Sequence, residues 1–294
     1  MSEVTPAEPP AAEAAPASPA PTSAKPAPKE ESSFGWFLVK LVIAVLVFRT
    51  FMFTSFMIPS ESMMPRLLVG DYLFAAKWPY GYSRASLPLD LNVVGHGRLF
   101  FRVPHRGDVI IFKHPIDRVD YVKRVIGLPG DRVETVNGQV VLNGKPIPKV
   151  RIADFVLPIA ADGRCIESQF AQQQRDGSLA CHYPRFRETL PGGVSYDVLD
   201  LGPSGASNPW GVDADNAPAV TVPAGDVFVM GDNRDDSEDS RFPAIAGQGV
   251  GMLPIENIAG RASFMFFSTD GSASWLKPWT WFTAARWSRI GRAI

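Results

Sequence analysis

The feature that most constrains this chain is a nearly uninterrupted apolar segment close to its start. Residues 34–58 read FGWFLVKLVIAVLVFRTFMFTSFMI, and Lys40 and Arg49 are the only charged side chains among them. A run of this length can cross the hydrocarbon core of a bilayer as one helix, with Lys40 near one end extending its ammonium to the interface. A buried core helix is the alternative, but such helices usually keep a polar face. We therefore expect a single membrane anchor over 34–58.

The sequence before the anchor and the charges around it do not determine how the anchor is oriented in the membrane. Residues 1–33 are rich in proline and alanine, a composition that buries little apolar surface and predicts a disordered tail. Basic residues precede and follow the anchor at similar distances, so charge counting leaves its orientation open. A cleaved signal peptide fits less well, because a basic start and a small-residue exit are missing.

The overall composition narrows the class of protein. With 294 residues, 46% of them hydrophobic, the chain can bury a sizeable core. Because 29 basic side chains face 30 acidic ones, no basic surface for nucleic acid is expected. The two cysteines, Cys165 and Cys181, lie outside the spacings typical of zinc sites or redox motifs. At this point the two cysteines can be either free thiols or a disulfide.

Beyond the anchor, short segments rich in β-branched and aromatic residues predict a mainly β fold. These segments are 109–112, 121–126, 132–136, 139–142, 226–230 and 258–267. Asn137-Gly138 and Asn143-Gly144 follow two of them and predict tight hairpin turns.

The same pass along the chain predicts the domain organisation. A β core is divided into two parts, 59–150 and 220–272, by an irregular stretch over 151–219 that we interpret as an inserted, loop-rich subdomain. The last segment, 273–294, is rich in tryptophan and arginine, which suits a membrane interface. An amphipathic surface helix is the alternative for it.

Two serines directly after the anchor form the first candidate reactive segment. Ser60 and Ser62 lie between Pro59 and Pro65, and each proline disfavours helix at the residue before it. The segment is therefore extended or turning and able to present a hydroxyl rigidly. Taken alone, serines beside prolines are ordinary turn residues.

A lysine inside an apolar strand is the second candidate. By strand alternation, Lys123 shares a face with Tyr121 and Val125, whereas Arg124 points to the opposite face as a surface or ion-pair residue. Burial disfavours the ammonium form and lowers a lysine's pKa, which makes the amine a usable general base. The alternative is a lysine that extends its ammonium to water.

The third candidate is the acidic loop GDNRDDSEDSR over 231–241, which follows a β-run. It lacks the glycine and the glutamate at the positions that a calcium-binding EF-hand requires, so no metal site is predicted. A turn held by Asx side chains and one arginine–carboxylate pair is the ordinary interpretation. Common hydrolase and zinc motifs are missing, while a Ser-His-Asp triad stays open because its members assemble only in space.

Together, these segments resemble the conserved boxes of bacterial type I signal peptidases, in the expected order and after an N-terminal transmembrane helix. IPSESMMP resembles the nucleophile box, YVKRVIGLPGD the lysine box, GDNRDDSEDSR the distal box, and RGDVIIFK the stretch before the lysine. The resemblance spans 58–262. It implies a signal-peptidase-type all-β catalytic core with an inserted subdomain, and a serine protease that uses a Ser/Lys dyad without a cofactor.

The resemblance also implies a role for individual residues. Ser62 is expected to attack the scissile carbonyl and Lys123 to take its proton, while the Ser60 hydroxyl and the Ser62 N–H form the oxyanion hole. Ser237 is expected to orient the Lys123 amine, and Asp239 and Arg241 to pair and hold that loop.

The substrate is expected to bind as an added strand in shallow pockets that select small residues, the Ala-x-Ala pattern at the end of secretory signal peptides. The residues implied for these pockets are Ile58, Pro59, Met63, Leu67, Tyr121 and Val122. Two departures, Glu61 where many members have glycine and Arg66 where threonine is frequent, leave the charge near the cleft undetermined.

On this resemblance the protein is a single-pass protein of the bacterial inner membrane with its catalytic domain in the periplasm. In that oxidising compartment a disulfide between Cys165 and Cys181 is expected. Secretory preproteins, membrane lipid and the secretion translocon are the expected partners. The alternatives are a specialised Ser/Lys maturation peptidase with few substrates and a non-catalytic, membrane-tethered peptide-binding β-domain.

Overall fold

The computed structural model of the chain describes residues 34–87, 95, 97–159, 164–203, 211–273 and 276–294. The tail predicted over 1–33 lies outside the described residues. Within the described ranges the fold is mainly β, with one long helix at the start, which confirms the predicted fold class.

The long helix α1 covers Phe34–Phe51, is exposed along its length, and is long and apolar enough to cross a membrane by length and composition. The prediction of one helix to residue 58 is wrong at its C-terminal end, because Phe53–Met57 forms strand β1. Its backbone pairs with β2, Asp71–Ala76, and the ring of Phe53 contacts the ring of Trp78 at 4.8 Å. The pairing and the aromatic contacts stabilise a strand where apolar composition alone suggested helix.

The helix and the first strand are joined by a short connection. Met52 alone separates α1 from β1, and its carbonyl oxygen accepts a hydrogen bond from the Lys77 backbone N–H at 3.0 Å. Lys77 Nζ donates to the carbonyl oxygen of Arg49 at 2.7 Å, and the Tyr82 hydroxyl donates to that of Phe51 at 2.8 Å. The last turn of the helix is thus capped by the strand region that follows it.

The main sheet is antiparallel and has seven strands. Besides β1 and β2 it contains β3 (Val109–Lys113), β4 (Asp120–Gly127), β13 (Asp226–Met230), β14 (Leu253–Pro254) and β15 (Ile258–Ser268). Their order across the sheet is β1-β2-β15-β3-β4-β13-β14. The predicted strands over 109–112, 121–126, 226–230 and 258–267 are confirmed within one residue at each end. Since β4 lies between β3 and β13, its central residues are in the interior of the sheet.

A smaller sheet carries the two predicted hairpins, both of which are confirmed. Its strands are β5 (Arg132–Val136), β6 (Gln139–Leu142), β7 (Lys145–Pro146) and β12 (Val220–Thr221), in the order β12-β5-β6-β7. Asn137 and Gly138 have φ values of 49° and 72°, and Asn143 and Gly144 have 53° and 76°. Positive φ at both central residues is what the Asn-Gly hairpin turn requires.

The stretch over 151–219 contains a third sheet, so its interpretation as loop-rich is wrong. The sheet consists of β8 (Lys149–Pro158), β9 (Ala171–Gln173), β10 (Leu179–Thr189) and β11 (Ser195–Leu199). Charged side chains alternate along it, and Arg187 of β10 pairs with Asp197 of β11 at 2.8 Å. Because one solvated face carries such pairs, the strands lack the apolar runs that mark a buried sheet.

Cys165 and Cys181 are joined by a disulfide in this inserted sheet. The bridge packs in a hydrophobic cluster with Met64 and Leu68, which follow the two serines, and with Tyr183 and Leu199. The inserted sheet therefore supports the serine segment from behind.

In the described part of the C-terminal segment, 273 and 276–294, α-helix is limited to the five residues of α2 (Thr280–Ala284), with a 3-10 turn over Trp287–Arg289 after it. The alternative of an amphipathic surface helix over this segment is therefore wrong. Residues after α2 run beside β15, with bridges from Ala285 to Thr269 and from Ala293 to Phe264. The backbone pairs with this strand instead of with itself, which excludes a longer helix. A membrane-interfacial role for 273–294 stays a prediction.

Candidate active site

The serine segment is a turn pinned at both ends. The Ile58 N–H donates to the carbonyl of Asp71, and turn hydrogen bonds join Met64 N–H to Glu61 and Leu67 N–H to Met63. Ser60 is exposed and Ser62 is buried to 7% exposure, yet their hydroxyl oxygens lie 3.3 Å apart. The two hydroxyl groups therefore lie close together, with Ser60 at the protein surface and Ser62 below it.

Lys123 lies in the middle of β4, opposite Ile110 of β3, and is 3% exposed. Burial lowers the pKa of Lys123 to about 8, against the opposing effect of Asp239, Asp236 and Glu238. The amine is therefore partly neutral close to physiological pH. No hydrogen bond within the described part of the chain joins Nζ to Ser62 or Ser237.

The loop after β13 is organised around Asp239, which is fully buried. Its carboxylate accepts from the backbone N–H of Gly231 at 3.0 Å, from the Ser237 hydroxyl at 2.8 Å, and from Arg241 Nε at 2.9 Å. Although burial acts to raise it, the charge and hydrogen bonds of Arg241 hold the pKa of Asp239 below its ordinary value. The Asp239–Arg241 pair is thus present, and Ser237 has lone pairs left to accept from an amine.

Gly231 brings the loop and the serine segment into contact, a role that the sequence analysis missed. A Cβ at this position would lie 2.5 Å from the carbonyl oxygen of Ser62 and closer still to the Ser237 hydroxyl. Any side chain here would separate the two segments. A glycine at the point where a β-run turns into an acidic loop was the one available signal for this close approach.

The two residues after Gly231 tie the loop to both neighbouring segments. The Asn233 N–H donates to the Ser62 carbonyl oxygen at 3.0 Å. Asp232 receives two hydrogen bonds from Arg124, at 2.7 and 2.6 Å, and both side chains are buried. Arg124 is therefore an ion-pair residue on the face of β4 opposite Lys123, and the surface alternative is wrong.

A second buried ion pair joins the loop to the inserted sheet. Arg234 donates to Glu188 of β10 through both terminal nitrogens, with Nη1–Oε1 at 2.7 Å, and the Tyr196 hydroxyl donates to the same carboxylate at 2.8 Å. Both charged side chains are at most 3% exposed. Glu188 lies 46 positions before its partner, so no local pattern could identify it.

Most of the expected substrate-binding residues share one region. Ile58, Met63, Leu67 and Val122 belong to a single hydrophobic cluster of the main sheet. Tyr121 packs against a neighbouring cluster, with its ring 4.9 Å from that of His114, and Pro59 is exposed. Four of the six residues are thus brought together beside Ser62.

Comparisons with known proteins identify the family of the chain. The profile of the family described as Signal peptidase, peptidase S26, matches residues 32–267. The Signal peptidase I of Rickettsia typhi is 33% identical over 279 residues, covering 88% of this chain and 92% of that protein. The Signal peptidase I of Rickettsia prowazekii is 34% identical over 275 residues, with the same two coverages.

A solved structure is also similar at a lower level. The signal peptidase I of Enterococcus faecalis V583 is 21% identical, covering 55% of this chain and 98% of its own, with a TM-score of 0.27. That likeness is too low to carry a structural argument. The family match and the curated relatives are sufficient: the chain belongs to the signal peptidase family, peptidase S26, and is a serine endopeptidase of the class that removes signal peptides.

Proposed function

We propose that this protein removes N-terminal signal peptides from secretory preproteins after small residues, with Ser62 as nucleophile and Lys123 as general base. The observation that carries the proposal is the close approach at Gly231. There the carbonyl of Ser62 and the hydroxyl of Ser237 meet beside β4, the strand that buries Lys123. The serine segment and a hydroxyl able to orient an amine thus meet next to the strand that carries the amine with the lowered pKa, which supports the proposed dyad.

In the proposed mechanism, the neutral Lys123 amine takes the proton from Ser62 Oγ as that oxygen bonds to the scissile carbonyl carbon. The Ser60 hydroxyl and the Ser62 N–H stabilise the negative charge on the carbonyl oxygen. When the tetrahedral intermediate collapses, the C–N bond breaks and the Lys123 ammonium returns the proton to the leaving amine. Water then attacks the acyl-enzyme, with Lys123 again accepting a proton.

The buried position of Lys123 supports the role of base. At an ordinary pKa the amine would be almost wholly protonated at neutral pH and unable to accept a proton. With the pKa near 8, about one molecule in ten carries the neutral amine at pH 7. A peptide that covers the cleft would exclude water and favour the neutral form further.

Substrate recognition is proposed to use the region of Ile58, Met63, Leu67 and Val122. These side chains are packed in one buried cluster beside the serine segment, and we propose that they form the floor of shallow pockets that admit alanine-sized side chains. An extended peptide would pair with residues 58–60 and 121–122 and place its small residues over this floor. Glu61 lies between the two serines, and burial raises the pKa of its carboxyl group, with the charge of Asp236 acting in the same direction.

The location is proposed from the same features. Helix α1 serves as the membrane anchor, and the β core lies on the periplasmic side, where a Cys165–Cys181 disulfide can form. Membrane lipid surrounds the anchor, and the secretion translocon is a further proposed partner. Protease added to spheroplasts should digest the core, whereas digestion only after lysis would contradict this orientation.

The decisive experiment is incubation of the purified full chain with several unrelated preproteins, followed by mass analysis of each new N-terminus. Cleavage after Ala-x-Ala in all of them supports a general signal peptidase. Cleavage of one or a few indicates the specialised maturation peptidase. Binding without cleavage, by a chain that retains Ser62 and Lys123, indicates a peptide-binding domain and contradicts the proposal.

A further inference from the structure

A cavity of about 930 Å³ lies on the side of β4 away from Lys123. Its wall combines the inserted sheet at Tyr196, the loop around Asp108, the segment after Ser62 at Arg66, and the C-terminal segment at Arg292. Its size falls in the range of small-molecule binding sites. Since β-strand side chains alternate, Arg124 reaches this cavity while its neighbour Lys123 faces the other side of the strand.

The cavity is lined by arginines to an unusual degree. The eight are Arg66, Arg106, Arg124, Arg185, Arg187, Arg261, Arg289 and Arg292. Two aspartates, Asp108 and Asp197, line the same wall together with the last residue, Ile294, and its α-carboxylate. Three more aspartates pair with the arginines from behind the wall: Asp71, Asp131 and Asp232. The eight arginines therefore outnumber the six nearby carboxylates. We call this site the arginine cavity.

Three of these guanidinium groups, on side chains that are exposed or half-buried, have hydrogen-bonding capacity left for a ligand. Arg292 has no side-chain hydrogen bond or ion pair within the ranges that the structure describes. Arg261 is 3.9 Å from Asp108 and its side chain is 43% exposed. Arg66 donates to the carbonyl oxygen of Ala293 at 2.8 Å, leaving its other N–H groups available.

The electrostatic environment of Arg66 also favours the binding of an anion. Burial lowers the pKa of Arg66, and the neighbouring charges of Arg124, Arg289 and Arg292 lower it further, while Asp232 acts in the opposite direction. Cations crowded in this way are stabilised when an anion enters between them.

We propose that the arginine cavity binds a phosphate group, supplied either as a free phosphate or as the phosphodiester headgroup of an anionic lipid. Guanidinium groups present paired N–H donors that match phosphate oxygens, and several converge here on one volume. Carboxylates bind guanidinium equally well, but a phosphate offers more acceptor oxygens to arginines arranged around it. Trp287 is exposed two residues before Arg289, and its ring stacks with that of the exposed Phe282 at 6.2 Å, which gives the lipid source a structural basis.

The first test uses inorganic phosphate and the purified full chain in a neutral detergent, with binding measured by titration calorimetry. Chloride at the same ionic strength is the reference, because exposed charges respond to salt in general. Arg292→Gln and Arg261→Gln should each weaken phosphate binding about tenfold, the effect of losing one charge-assisted contact. Arg132→Gln is the matched control, since Arg132 is exposed on β5 and outside the cavity.

The second test identifies the source of the phosphate group. Short-chain phosphatidylglycerol is compared with short-chain phosphatidylcholine and with inorganic phosphate on the same protein. Tighter binding of phosphatidylglycerol that Arg292→Gln weakens assigns the lipid headgroup, and equal or tighter binding of inorganic phosphate that Arg292→Gln weakens assigns the free anion.

The proposal is overturned if phosphate and phosphatidylglycerol bind no better than chloride and phosphatidylcholine. It is also overturned if Arg132→Gln weakens binding as much as Arg292→Gln does, because the effect would then be a general response to charge. Circular dichroism of each variant verifies that it is folded before binding is measured. The binding assay needs no peptidase turnover, so its result is independent of the proposed function.

Discussion

The two sides of the proposed cleft hold their reactive groups by different physical means. On the lysine side, apolar strands surround Lys123, and the loss of water lowers its pKa. On the serine side, the backbone around Ser62 is positioned by hydrogen bonds from Asn233 and by the close approach of Gly231. Burial among apolar side chains thus sets the pKa of Lys123, whereas buried hydrogen bonds and ion pairs set the position of Ser62.

The largest expected effect comes from removing either member of the dyad, which tests whether both sides are needed. Ser62→Ala and Lys123→Met should each lower kcat on the order of 10⁴-fold or more, because each removes one part of a single proton-transfer unit. Lys123→Arg should be inactive at every pH, since its guanidinium stays charged. Rates of preprotein cleavage measure this.

The matched control for the dyad is His105→Gln, a change of an exposed histidine that should leave the rate unaltered. Near-normal turnover in Ser62→Ala or Lys123→Met would eliminate the dyad. Lys123→Met should also raise the free energy of unfolding at neutral pH, because it removes a buried amine from an apolar wall. Urea denaturation separates this gain in stability from the loss of activity.

The next effect concerns the buried pair on the serine side. Glu188→Gln leaves Arg234 buried beside a neutral partner and should lower the free energy of unfolding by about 3–5 kcal/mol. Asp154→Asn is the control, because it breaks a more exposed pair with Arg151 and should cost about 1 kcal/mol or less. Equal effects of the two changes in urea denaturation would show that the inserted sheet does not hold the loop through this pair.

A smaller effect is expected at the rim of the cleft. Ser60→Ala should lower kcat about 10²- to 10³-fold, the usual result of losing one oxyanion donor, without changing stability because Ser60 is exposed. Ser55→Ala, another exposed serine in β1, is the control and should cleave normally. A wild-type rate in Ser60→Ala would remove Ser60 from the oxyanion hole.

The smallest expected effect is a shift in the pKa of Lys123. The kcat/KM of the wild-type enzyme should rise with pH through about 8, because deprotonation of Lys123 produces the base. Asp236 favours the ammonium, so Asp236→Asn should lower that pKa and move the acidic limb to lower pH by less than about one unit. The exposed carboxylate of Asp270 supplies the control, Asp270→Asn, which should leave the limb in place. A shift to higher pH would contradict the assigned base.

Local patterns were sufficient for four strands of the main sheet, β3, β4, β13 and β15, and for the hairpins, but not for β1, β2 and β14. Asn137-Gly138 encodes its own turn, and alternation assigns Lys123 to the face of β4 that carries Tyr121 and Val125. The sequence left open whether its amine is buried or extends to water, and the structure shows it buried. The end of α1 was missed because Phe53–Met57 continues the segment without a charged residue, and Thr54 and Ser55 do not by themselves end a helix. Only pairing with β2 distinguishes the strand, and that pairing is not a local property.

The candidate site shows the same division. Ser62, Lys123 and the Asp239–Arg241 pair lie in segments that are recognisable in the sequence. Glu188 and the contact at Gly231 depend on which distant segments meet, and no spacing rule predicts such a meeting. The inserted sheet was taken for loops because its charged pairs, such as Arg187–Asp197, replace the apolar alternation that usually identifies a strand.

The connection between α1 and β1 has a mechanical consequence. With Met52 as the only intervening residue and the last helical carbonyls capped by Lys77 and Tyr82, the end of the helix and the first strand can move little against each other. In the proposed enzyme, Ser62 follows this joint by only ten residues. The distance from the end of the anchor to Ser62 is therefore fixed, and a preprotein is cut where its chain passes Ser62 at that distance.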